Sequence, residues 1–171
     1  METFEQLFEE TLKDIYYAEK AILKALPRMA KKASSEDLSA AFTAHYEETE
    51  QQVVRLEEIF ESLGKKARGK KCPAIDGIIE EAEEVMKDAK DDTIRDAGML
   101  AAAQAVEHYE ISRYGTLKAW AEKLGLTDAV SLLDEATDEK LTELADSEIN
   151  IEALEGDGEE QPSRPRKKKR T

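Results

Sequence analysis

Glu19 interrupts a helical stripe that is otherwise apolar, Phe8, Leu12, Ile15, Glu19, Ile22 and Leu26, with apolar turns on both sides of it. A carboxylate buried alone is costly, so an acid at such a position has to meet a cation, a metal ion or a hydrogen-bonded network. The pattern recurs three more times. Stepping by three and four from Leu38 through Phe42 leads to His45, Glu48 (or Thr49), Gln52 and Leu56, which sets His45 and Glu48 one turn apart on one face. A third stripe, Ala97, Leu100, Gln104, Glu107, Ile111 and Tyr114, carries Glu107, with Glu110 one turn beyond it and His108 alongside. The fourth, Val130, Asp134, Thr137, Asp138, Leu141 and Ala145, offers Asp138 first and Asp134 second, while a slightly rotated stripe would turn Glu135 and Glu139 inward instead.

Hard oxygen ligands with few imidazoles are the donor set of carboxylate-bridged di-iron and di-manganese centres, which helical bundles build from facing side chains. The expected metal ligands are therefore Glu19, His45, Glu48, Glu107, Glu110, Asp138 and Asp134, with iron, or manganese, as the ion. The competing reading is a salt-bridged or hydrogen-bonded interior, because 39 acids among 171 residues place some carboxylates inward by accident. Tyr16, Tyr17, Tyr109 and Tyr114 lie near these acids in the sequence and serve either as hydrogen-bond donors to them or as aromatic packing.

Helices must position these groups, and the composition supplies them: Ala, Glu, Lys and Leu dominate, with 8 Gly and 4 Pro. Thr3-x-x-Gln6 resembles a capping box opening helix one, which Pro27 is expected to bend or end. Ser34 or Ser35 caps a second helix that Gly64 closes. A basic loop, Lys65 to Pro73, leads to a short amphipathic helix around Ile75 to Ala89, a long helix from about Thr93 to Leu124, and another starting at Thr127 that fades by Glu155. Four long helices of roughly 25 to 30 residues, joined in the middle by a long crossover carrying a short helix, predict an all-α, ferritin-like four-helix bundle. The expected organisation is a bundle over residues 1–155 and a tail over 156–171.

The net charge is −14, and without the last ten residues, which hold six Lys or Arg and no acid, it is −20, from 19 basic against 39 acidic side chains. A body this acidic attracts cations and repels nucleic-acid phosphates; the basic tail, Arg164 to Arg170, suits either an anionic partner or a solubilising disordered end. A single cysteine, Cys72, precludes an intramolecular disulfide, and with no signal peptide or long apolar run the expected setting is a reducing cytoplasm without membrane insertion. No Ser-His-Asp arrangement, phosphate-binding glycine loop or zinc-type cysteine pair is present.

Leu12-Lys-Asp-Ile-Tyr-Tyr-Ala-Glu19 through Pro27, His45-Tyr-Glu-Glu-Thr-Glu-Gln-Gln through Glu57, Val106-Glu-His-Tyr-Glu-Ile through Gly115, and Ala136-Thr-Asp-Glu-Lys-Leu-Thr142 resemble the YciF/YciE family of bacterial ferritin-like proteins, the DUF892 domain. The resemblance covers about residues 1 to 155. It implies a rubrerythrin-related bundle, a homodimer, a role in bacterial stress responses and no assigned enzymatic activity. By that likeness Glu19, Glu48, Glu107 and Glu110 are the metal ligands to carry over, with His45 as the imidazole. The chain departs from the Glu-x-x-His pairs of di-iron relatives: Glu48 is followed by Gln51 and Gln52, Asp134 by Thr137, and no histidine occurs after His108. Two functions follow, a metal-binding stress protein with peroxide or oxygen chemistry and a non-catalytic dimeric bundle acting through partners with a vestigial site.

Overall fold

Side-chain oxygens take up the first amides of the long helices, and glycines release the ends of two of them. The computed structural model of the chain describes residues 1–136, and among these every regular element is helical. In order they are α1 (Phe4–Lys32), α2 (Glu36–Ser62), α3 (Pro73–Asp88), α4 (Asp92–Leu124) and α5, which starts at 127 and is described to 136. Asp138, Glu139 and the expected tail lie outside the described residues.

Thr3 Oγ1 accepts from the Gln6 amide at 3.2 Å, and Gln6 Oε1 accepts from the Glu2 amide at 2.8 Å, so the reciprocal arm of the capping box reaches one residue further back than Thr3. Ser35 caps α2 through the Leu38 amide and Asp91 caps α4 through the Ile94 amide. Each such cap stabilises its helix by about 1 kcal/mol. At Gly64 (φ 66°) and Gly125 (φ 71°) the chain leaves the helix through the left-handed region. There the Lys65 amide donates to the Phe60 carbonyl and the Leu126 amide to the Ala121 carbonyl, both at 2.9 Å, closing Schellman motifs.

Pro27 neither ends nor divides α1, which runs five residues beyond it to Lys32. Proline removes one amide donor, and burial of Leu26 and Met29 against the core on either side offsets that loss.

α1 and α2, joined by residues 33–35, pack as an antiparallel pair; α4 lies along α1, and α3 covers both. Phe8, Leu12, Ile15, Leu56, Ile59, Phe60, Met99, Leu117 and Leu133 are almost completely buried between them. Two apolar stripes differ from expectation. On α4, Ala97 is exposed, and Gln104 and Ile111 are half-buried, whereas Met99, Val106, Glu110, Tyr114, Leu117 and Ala121 face inward. On α5 the inward residues are Ala129, Leu133 and Ala136, one position away from the stripe through Val130 and Asp134. Alanine-rich helices show little contrast between faces, so their rotation is set by neighbours that sequence periodicity does not contain.

The crossover after α2 is strapped to α1. Lys65 pairs with Glu9 at 2.7 Å and Lys70 with Glu10 at 2.9 Å, and the Lys70 amide donates to the Lys13 carbonyl at 3.0 Å. At Gly69 a Cβ would lie 3.1 Å from that of Tyr17, so a larger residue would push the strap or α1 back by a few tenths of an ångström.

Asp96 at the start of α4 holds the α1–α2 turn. Its carboxylate accepts from the Ser34 amide at 3.0 Å, the Ser34 hydroxyl at 2.6 Å and the Ser35 amide at 2.8 Å. Burial alone would raise its pKa; the Ser34 and Ser35 donors outweigh that effect and hold it below the ordinary value. A depressed folded pKa means the contribution is fully present above the unfolded value of about 3.9 and is lost as pH falls through the folded value. Asp96→Asn should lower stability by about 1–3 kcal/mol at neutral pH. The difference should shrink below about pH 4. Urea denaturation of both proteins at pH 7 and in acid checks both statements, and an equal deficit at the two pH values contradicts the charge-based account.

Candidate metal centre

Three helices carry polar groups into the interior of the bundle. α1 supplies Glu19, fully buried; α2 supplies His45, 7% exposed; α4 supplies Glu107 and Glu110, 4% and 0% exposed. Apolar residues such as Ile15 and Ile22 around Glu19, Leu38 and Phe42 before His45 and Val106 beside Glu107 fix the helix faces that carry these groups into the interior.

His45 sits between the two α4 carboxylates, with Nδ1 3.3 Å from Glu107 Oε1 and Nε2 3.6 Å from Glu110 Oε2. One ligand atom from each of His45, Glu107 and Glu110 falls within 4.8 Å of the others. Ligands on opposite sides of one ion, each at roughly 2.1 Å, are at most about 4.2 Å apart, so a rotamer adjustment of about half an ångström would close the set on a single cation. The donors are carboxylate oxygens and an imidazole nitrogen, which suit iron or manganese.

Glu19 joins the group through Tyr114, whose hydroxyl donates to Glu19 Oε1 at 2.5 Å. Complete burial, then the nearby charges of Glu19 and Glu110, push the Tyr114 pKa well above the ordinary tyrosine value. Tyr114 therefore stays protonated and serves as a donor, and Glu19 and Glu110 both act on the same phenol. Arg55 of α2 opposes that shift, and its Nε lies 3.5 Å from Glu135 on α5.

Glu48 is half-buried, but its Oε2 is shielded from solvent, one turn from His45 and on the inward side of α2. Thr49 is buried and gives its hydroxyl to the His45 carbonyl at 2.7 Å, so it steadies the backbone that carries the imidazole. Asp134 is not brought to the group: its side chain is about half exposed and pairs with Lys118. Glu135 is likewise exposed. His108 faces outward.

Of the four tyrosines near the acids, only Tyr114 has a hydrogen bond to one of these inward carboxylates among the described residues. Tyr16 donates to Glu57 at 2.7 Å and is pushed up to about 12 by burial and that carboxylate. Tyr17 donates to Asp76 at 3.0 Å. Tyr109 donates to Asp14 at 2.7 Å and lies 3.1 Å from the buried Cys72 sulfur. Gln52, fully buried one turn below Glu48, shares the inward face without having been singled out as a ligand. Arg55 gave no signal, because it lies one position off the apolar stripe, next to Leu56.

Antiparallel long helices, a crossover helix and an interior of carboxylates around one imidazole define a ferritin-like bundle. The chain belongs to the DUF892 family, described as a domain of unknown function, whose model matches residues 3–154. It is 46% identical over 160 residues to protein YciF of Escherichia coli strain K12, covering 90% of this chain and 96% of that protein. The crystal structure of the E. coli stress protein YciF superposes with a TM-score of 0.88 at 41% identity, over 92% of this chain and 99% of that one. YcfI from Rhodopseudomonas palustris gives a TM-score of 0.84 at 49% identity, over 86% of this chain and 94% of that one.

Removing the Tyr114 hydroxyl takes a donor from a buried carboxylate. Tyr114→Phe should cost about 1–3 kcal/mol in urea denaturation with the helical content unchanged. Stability equal to wild type would show that the Glu19 contact contributes nothing to the fold.

Proposed function

We propose that this protein is a ferritin-like stress protein that binds iron or manganese between α1, α2 and α4. The observation that carries the reading is the convergence of His45, Glu107 and Glu110 ligand atoms, all buried, within 4.8 Å of one another. Glu107 and Glu110, one turn apart, would clamp the ion from α4, His45 would supply the nitrogen from α2, and Glu19 and Glu48 would complete the oxygen donors. A bound divalent iron or manganese supplies Lewis acidity and one-electron chemistry toward oxygen or peroxide. The protein's own part is to hold the donors in a site shielded from water, with Tyr114 fixing the orientation of Glu19. One imidazole among several carboxylates favours hard divalent ions over copper or zinc.

E. coli YciF is described as a stress protein, and a similar role is proposed here. No described helix is long and apolar enough to cross a membrane. The single buried thiol suits a reducing compartment such as the cytoplasm. A homodimer is part of the same proposal.

A second reading is favoured by one contact set: His45 reaches both Glu107 and Glu110, so these interior polar groups meet one another without metal. In that case the bundle is a non-catalytic protein acting through partners.

Elemental analysis of protein purified without chelator and loaded aerobically with ferrous iron separates the two. One to two ions per chain are expected in the wild type, with at least about a tenfold loss of affinity in Glu107→Ala and Glu19→Ala. A wild type that retains no iron, manganese or zinc would sink the metal reading and leave the non-catalytic bundle.

A further inference from the structure

A small cavity lies between α1, α3 and α4, with His45 on its lining. Its volume is about 20 Å³. By the roughly 10–15 Å³ needed to seat one water-sized molecule, it has room for one small molecule. Ile22, Leu26 and Met29 come from α1, Ile78 and Met86 from α3, and Val106 from α4, and the surface they present is wholly apolar. Since both His45 nitrogens face carboxylates, the imidazole turns a carbon edge toward the cavity. Glu83 stands at the rim, paired with Arg28 at 2.5 Å.

Water or hydrogen peroxide here would give up hydrogen bonds and gain none, and a cation would give up its hydration shell. Dioxygen has no hydrogen bonds to lose and partitions readily into apolar surroundings. We propose that this cavity is a holding site for dioxygen beside the His45 end of the polar cluster. As an approach to a metal it rests on the reading of that cluster as a metal centre; as a gas site it stands apart from it. α3 thereby acquires a role, since the short crossover helix forms the outer wall of the cavity.

The test uses the metal-free full chain under dioxygen pressure and reads the paramagnetic relaxation of side-chain methyl protons. The Ile22, Leu26 and Ala82 methyls, which line the cavity, should relax several-fold faster than the Leu38, Ile59 and Leu117 methyls, which are similarly buried elsewhere. Ala103→Leu, which fills the cavity, should abolish the excess at Ile22 and Leu26; if that variant does not fold by circular dichroism, Ala102→Val serves the same purpose. Uniform relaxation across the two sets of methyls, or an excess that survives filling, overturns the proposal. Selective relaxation here, together with a wild type that retains no metal after ferrous loading, would remove the metal reading and leave the dioxygen site standing.

Discussion

Carboxylates taken out of water set the terms on which this bundle assembles. Glu19, Glu107 and Glu110 are placed inside by the apolar turns on their own helices, and each must then find hydrogen bonds or opposite charge there. Apolar contacts tolerate a small slide or roll of one helix on another. The Tyr114 bond to Glu19 does not, because donor and acceptor have to meet within a few tenths of an ångström; the His45 contacts to α4, at 3.3 and 3.6 Å, add a looser tie from α2. These polar contacts therefore constrain the rotations of α1, α2 and α4, while the apolar layers around them supply most of the driving force.

Helix boundaries and the α1 and α2 faces were legible in the sequence because their signals are local. Thr3, Ser35, Gly64 and Gly125 act on the residues beside them, and the contrast between Leu12, Ile15 and Ile22 and their charged neighbours is large. The rotations of α4 and α5 were not legible to the same degree. In α4 the run Ala101-Ala-Ala-Gln-Ala-Val106 offers several nearly equivalent faces, and packing on α1 and α3 selects among them. That selection turned Met99 and Leu117 inward.

For the candidate site, Glu19, His45, Glu107 and Glu110 could be read from the intrusion of polar groups into apolar stripes; the structure brings the last three together and buries Glu19 against Tyr114. Asp134 could not be judged in that way, since the one-position shift of the α5 face moves it toward Lys118. Asp96 was invisible for a different reason. Its partners, Ser34 and Ser35, are sixty residues away, and nothing in the local pattern distinguishes it from other acids of a chain holding 39. The phenols divide in the same manner: Tyr16, Tyr17 and Tyr109 find acids on neighbouring elements that only the fold reveals.

The strap between α2 and α3 bears on how the chain can change over evolution. Surface connections ordinarily absorb insertions and deletions with little effect. Here Gly69 rests against Tyr17, Lys70 is tied to the Lys13 backbone, and α3 begins only a few residues later, at Pro73. One residue added or lost between Lys70 and Pro73 would change the reach of this short link by up to about 3.5 Å and displace either α3 or the strap. This connection is consequently a spacer of fixed length, and length variation among relatives is expected to concentrate elsewhere on the surface.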